Sequence, residues 1–192
     1  MIKNKINNLF EQKEKVLIPY ITAGDPTFYS SLQLLNFLAS NKAKAIEIGV
    51  PFSDPMADGK IIQNAMNRAL GFSISKTFEL IEKFRKEHNI PLIIMGYFNT
   101  FYNYGIEKMA EQMNKLDIEA IIIVDLPLEE VNIIFETFQK HNIHLIPLIS
   151  PITPAERLEK MRSFFSGFAY LISITGTTGI RNTLPQSIKL KA

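Results

Sequence analysis

The chain has no cysteine. Neither a disulfide framework nor a thiolate metal site can therefore organise it, and the absence fits a reducing compartment. Net charge is nearly absent too, since 21 basic and 19 acidic residues leave +2. No strong field of one sign draws the chain to nucleic acid or to an anionic membrane. No apolar run reaches membrane-spanning length, and the opening MIKNKINNLFEQKEK is too polar for a signal peptide. Only three histidines are present. His88 and His141 stand near expected helix ends, where a partly charged imidazole suits the dipole. His144 lies inside an apolar run and reads as core rather than ligand. What remains is 192 residues, 46% of them hydrophobic, which suffices for one domain with a sizeable core. The expectation is a soluble intracellular protein without a metal site, cytoplasmic, or stromal if encoded in a plastid.

Short apolar runs alternate with amphipathic stretches. The runs are VLIPYITA (16–23), AIEIGV (45–50), PLIIMGY (91–97), AIIIVDLP (120–127), IHLIPLIS (143–150) and GFAYLISI (167–174). They are rich in Ile, Leu and Val and mostly lack polar alternation, as strands buried on both faces do. Helices are expected over 27–40, 61–70, 75–88, 105–116, 128–141 and 153–164. The βαβα order predicts a parallel sheet covered by helices. Strand starts recur at the spacing of β/α units, except between the second and third runs. That longer excursion, GVPFSDPMADGKIIQNAMNRALGFSIS, is expected to be functional and to carry its own helix. The fold class is thus α/β, a (β/α)8 barrel with about six units present: one domain over 1–192, incomplete at its C-terminus. A six-stranded doubly wound sheet is the rival architecture.

Several strand ends carry one device: Gly24-Asp25-Pro26, Ser53-Asp54-Pro55, Asp125-Leu126-Pro127 and Ser150-Pro151. Asp or Ser can cap a following helix and Pro can open one. The same positions are where barrel enzymes place catalytic loops. Glu47 stands between Ile46 and Ile48 inside a buried strand. A carboxylate there is expensive unless it is paired or working. One reading is a pair with a buried Lys or Arg, the other a functional acid. Asp58 follows in MADGK, in the loop after the same strand. Asp58-Gly59 alone is a common turn. Two acids at one barrel mouth can also divide labour, the buried one exchanging protons and the solvated one staying charged.

The run Ile46-Glu47-Ile48-Gly49-Val50-Pro51-Phe52-Ser53-Asp54-Pro55-Met56-Ala57-Asp58-Gly59 resembles the signature of tryptophan synthase α chains, and Ile62-Gln63-Asn64-Ala65 continues the likeness. Pro19-Tyr20-Ile21-Thr22-Ala23-Gly24-Asp25-Pro26, Met95-Gly96-Tyr97-Phe98-Asn99, Val124-Asp125-Leu126-Pro127, Tyr170-Leu171-Ile172-Ser173 and Gly176-Thr177-Thr178-Gly179 agree in order and spacing. The resemblance implies retro-aldol cleavage of indole-3-glycerol phosphate into indole and glyceraldehyde 3-phosphate. It implies that Glu47 protonates C3 of the indole and that Asp58 holds the indole N–H. Tyr20, Met95, Tyr97 and Tyr170 would line the pocket, although without the resemblance ordinary barrel packing is the favoured reading of each. Thr178 would close the loop against the aspartate, and the Gly179 backbone would hold phosphate. No cofactor is implied on this chain. The implied partner is a pyridoxal-phosphate β chain in an α2β2 tetramer, met through Pro51, Asp54 and the loop at Tyr97-Phe98-Asn99.

The sequence also departs from the family pattern. Tyr20 stands where Phe is frequent, and Ile174-Thr175 replaces an Arg-Ser or Arg-Ala pair. The last two β/α units, with the main phosphate loops, are not in the sequence. A non-catalytic subunit that only binds and activates the β chain is therefore the alternative. A sugar-phosphate isomerase or aldolase ranks last, because no Lys lies inside an expected strand core.

Overall fold

The computed structural model of the chain describes residue 2, residues 4–10 and residues 15–172. The chain opens with α1 (Lys5–Asn8), β1 (Tyr20–Thr22) and α2 (Phe28–Ser40). After β2 (Ile46–Gly49) come α3 (Lys60–Arg68) and α4 (Ile74–Arg85), so the long excursion carries two helices. Next are β3 (Leu92–Gly96), α5 (Phe98–Tyr104), α6 (Ile106–Lys115) and β4 (Ala120–Ile123). A 3-10 turn (Leu128–Glu130), α7 (Asn132–Lys140), β5 (His144–Leu145), β6 (Leu148–Ile149), α8 (Ala155–Met161) and β7 (Tyr170–Leu171) complete the order. Local chemistry sets many of these bounds. Thr27 caps α2 by accepting from Ser30 N, and Ser73 caps α4 by accepting from Lys76 N. Gly105, at φ +97°, ends α5 and lets α6 start in a new direction.

Strands β1 to β5 form one parallel sheet in chain order. A doubly wound sheet reverses its order at a switch point; here there is none, and that rival falls. One expectation is corrected. The run 143–150 is two strands, because Pro147 has no N–H to continue the ladder. Ile146 N makes the last bond to β4, at Ile121 O (3.0 Å). Pro147 O then accepts from Tyr170 N (2.9 Å), and β6 pairs with β7. Among the described residues, the six apolar runs thus give seven strands.

Alternate residues along each strand serve two cores. Ile46, Ile48, Leu92, Ile94, Ile121 and Leu145 join residues of the covering helices in the larger cluster. Ala45, Ile93, Ala120, Ile122 and Ile146 face inward and meet one another. The inner cluster draws nothing from α2 to α8; its one buried helical member is Ile6 of α1. Helices cover one face while the other closes on itself, which is a partial (β/α) barrel.

The strand starts are sealed by α1. Asn4 Nδ2 donates to Glu119 O (2.8 Å) and Asn142 O (2.9 Å). Glu119 is 4% exposed, accepts from Leu92 N (2.8 Å), and pairs with Lys5 (3.0 Å) and Arg85 (3.5 Å). The stretch holding Arg85 reads as a solvated helix face in the sequence. The structure instead buries that guanidinium, which ties Leu116 O (2.8 Å) and Ile90 O (2.6 Å). His144 is fully buried at this end, as expected of a core histidine. Its Nε2 donates to Asn7 Oδ1 (3.1 Å), and its Nδ1 accepts from Ser166 Oγ (2.7 Å). His141 meets Glu107 at 3.2 Å, and His88 stacks on Phe84.

Candidate active site

With the strand starts sealed, the other end of the sheet is the mouth. Ile46 and Ile48 turn to the helices, so Glu47 must face inward. Register sets Tyr20 on one side of Glu47 and Ile93 on the other. Nearer the mouth, Thr22, Gly49, Met95 and Ile122 form the next layer. Glu47 is 5% exposed and has no hydrogen bond or ion pair among the described residues. Burial raises its carboxyl to about 7. Among the described residues no cation pairs with Glu47 as Lys5 and Arg85 pair with Glu119.

Asp58 is 6% exposed and differently placed. Its backbone turns back on Pro55 O (3.1 Å), and Gln63 Nε2 donates to Asp58 O (2.9 Å). Tyr97 Oη donates to Asp58 Oδ2 at 2.7 Å and accepts from Ala57 N at 3.0 Å. The Phe52 ring stacks on Tyr97 with centroids 4.6 Å apart. Burial raises the Asp58 carboxyl, and the Tyr97 hydrogen bond opposes that rise. Burial also raises Tyr97, and Asp58 raises it further, so the phenol stays a donor.

Tyr20 and Tyr170 bind the two acids into one site. Burial lifts Tyr20 to about 12, and Asp58 and Glu47 both push it up. Tyr170 rises through burial, then through Glu47 and Asp58. Each phenol feels both carboxylates, so all four groups share the mouth. Gly49 makes room for Tyr20, since a Cβ there would fall 2.0 Å from its hydroxyl oxygen. Tyr20 Oη lies 3.3 Å from Thr22 Oγ1. On the rim Pro51 is half-buried, Asp54 is exposed, and Met56 is 74% exposed. Thr178 and Gly179, with Ile174-Thr175, lie outside the described residues. Among the described residues, no group of three or more His, Cys, Asp or Glu could hold a metal ion. No helix among them is long and apolar enough to cross a membrane.

The strand-end acids do not all cap their own helices. Asp25 receives both Nε and Nη2 of Arg68 (2.7 and 2.8 Å). Asp125 accepts from Phe98 N (2.7 Å), the first residue of α5, one unit back along the chain. Sequence reasoning passes over Phe52, Glu119 and Arg85. Only Glu119, set directly before the apolar AIII, carries a sequence signal of the Glu47 kind.

Residues 6–191 match the family described as tryptophan synthase alpha chain. The chain belongs to that family. The tryptophan synthase alpha chain of Alkaliphilus metalliredigens is 40% identical over 190 residues, covering 98% of this chain and 71% of that protein. That of Cyanidium caldarium is 36% identical over 192 residues, covering 98% and 72%. The crystal structure of subunit alpha from Legionella pneumophila superposes with a TM-score of 0.82 at 38% identity. It covers 88% of this chain and 65% of that one, so the chain spans about two thirds of the length of such relatives. A Pyrococcus furiosus structure described as a tryptophan synthase a2b2 complex superposes at 0.77 with 39% identity, covering 81% and 65%. In this tryptophan synthase alpha chain relative, Glu47 and Asp58 are therefore carried on the fold of solved family members.

Proposed function

We propose that this alpha chain cleaves indole-3-glycerol phosphate to indole and glyceraldehyde 3-phosphate. The observation that carries the reading is the pair of unlike acids at one mouth. Glu47 is buried with no hydrogen bond or ion pair among the described residues, its carboxyl near 7, and Asp58 is held by a phenol. A carboxyl that titrates near neutrality can both give and take a proton. Protonation of indole C3 by Glu47 leaves a cationic imine in the ring. Asp58 beside the ring N–H stabilises that charge. The C3–C3′ bond then breaks as the C3′ hydroxyl loses its proton. The bonding pair returns to the ring and neutralises it, giving indole and an aldehyde. Met95, Tyr20 and Tyr170 would clasp the indole plane from the walls of the mouth.

The partner in this reading is a β chain carrying pyridoxal phosphate, met in an α2β2 assembly through Pro51, Asp54 and the loop at Tyr97-Phe98-Asn99. The exposed Met56 beside Asp54 supports such a face. The test is indole release from indole-3-glycerol phosphate, with and without an added β chain. Release that is lost in Glu47→Gln supports the lyase. Activation of the β chain without release would leave a binding subunit instead. Neither signal would end the proposal.

A further inference from the structure

Three neighbouring loops at the mouth are joined by one chain of hydrogen bonds. The loop after β2 meets the end of β3, where Tyr97 Oη accepts from Ala57 N and donates to Asp58. The end of β3 meets the loop after β4, where Phe98 N donates to Asp125 Oδ1 at 2.7 Å. Tyr97 and Phe98 are consecutive, so the bond that fixes one backbone fixes the other's side chain. Asp125 is exposed and pairs with no cation among the described residues. Its carboxylate also lies close enough to raise Tyr97.

We propose that Asp125 is a positioning residue that aims Tyr97 at Asp58 and so keeps Asp58 supplied with its hydrogen-bond donor. The inference rests on the lyase reading for its consequence in turnover, but not for its physical content. Without the Asp125 acceptor, Phe98 N–H loses its partner and the start of α5 loosens. Tyr97 then swings away from Asp58. Asp58 is left buried and without its donor, and its carboxyl rises. The groups facing it are Tyr97 at the end of β3, Tyr20 of β1 and Tyr170 of β7, while Asp125 acts on Tyr97. Charge alone predicts the reverse. Taking away the negative charge beside Tyr97 makes Asp58 no harder to ionise, so its midpoint holds or falls. The sign of the change therefore separates positioning from simple electrostatics.

The experiment is carboxyl carbon NMR of Asp58 against pH in the full chain, with Asp58→Asn to assign the resonance. Asp125→Ala should raise the Asp58 midpoint by about one pH unit, the size of one charged hydrogen bond. Asp125→Asn keeps an acceptor oxygen and should hold the wild-type midpoint or lower it slightly. Tyr97→Phe should match Asp125→Ala. Asp125→Glu keeps the charge but displaces the acceptor, and should also raise the midpoint; it serves if Asp125→Ala does not fold. In the lyase assay, the acid limb of the pH–rate profile should move up with the NMR midpoint while the alkaline limb stays. An unchanged or lowered midpoint in Asp125→Ala and Asp125→Glu overturns the proposal. A raised midpoint in a chain that releases no indole upholds it and removes only the lyase reading.

Discussion

Glu47 is a buried acid with no hydrogen bond or ion pair among the described residues. Its folded carboxyl titrates near 7 against an ordinary 4.5, so the fold prefers the uncharged form. The stability this group contributes is full below about pH 4.5 and is lost as pH climbs through about 7. Glu47→Gln should therefore stabilise the chain at pH 8, by up to about 3 kcal/mol, and bring no gain near pH 4. Urea unfolding at both pH values checks this, and equal midpoints at pH 8 would sink the idea of an unpaired acid. In the lyase assay the same variant should lose roughly 10²–10⁴-fold, the range of a single general acid–base group. Gly49 gives a second test. Gly49→Ala drives a Cβ into the Tyr20 ring and should cost about 1–3 kcal/mol. Most of that cost should vanish in a Tyr20→Ala background, and a cost that persists there would mean another clash. Glu47 was legible in the sequence because burial of an acid between isoleucines is a local anomaly. The role of Gly49 was not, because it depends on a side chain on the neighbouring strand.

Among elements, the helices and strands that sequence periodicity finds are those with long amphipathic or apolar patterns. α2 and α4 fall within a residue or a few of their expected bounds, and both sit behind capping hydroxyls. α1 and α5 were not legible; each is a turn or two long, and their partners lie far along the chain. Asn4 answers to Asn142, and Phe98 to Asp125. Pro147 was visible, but not its effect, since a proline can end a strand or hand it to another sheet. The buried Arg85–Glu119 pair joins α4 to the loop before β4 and carries an element-scale prediction. Glu119→Ala leaves Arg85 without its anion and should cost about 3–5 kcal/mol. Glu79→Ala, on the exposed side of the same helix, should cost well under 1 kcal/mol. Urea midpoints compare the two, and equal losses would show that burial does not set the value of the Arg85 pair.

For the whole molecule, the sealed end and the open end make different demands. His144 is held neutral, its imidazole pressed down to about 4 by burial. Stability from that neutral ring is present above about pH 6.5 and is lost as pH falls toward 4. Acidification through this window should release α1, read as lost hydrogen-exchange protection at the Ile6 amide. His144→Asn should flatten the response, and full protection of Ile6 in wild type at pH 4 would show that His144 does not hold α1. The same seal has a consequence in time. Residues 4–7 leave the ribosome well before residues 119, 142 and 144, to which they bond. At about 5–20 residues per second those partners emerge roughly 6–30 s later. Until then the turn at residues 4–7 is a key waiting for its lock to be made, and any nascent-chain factor that binds it in that interval competes with the protein's own floor.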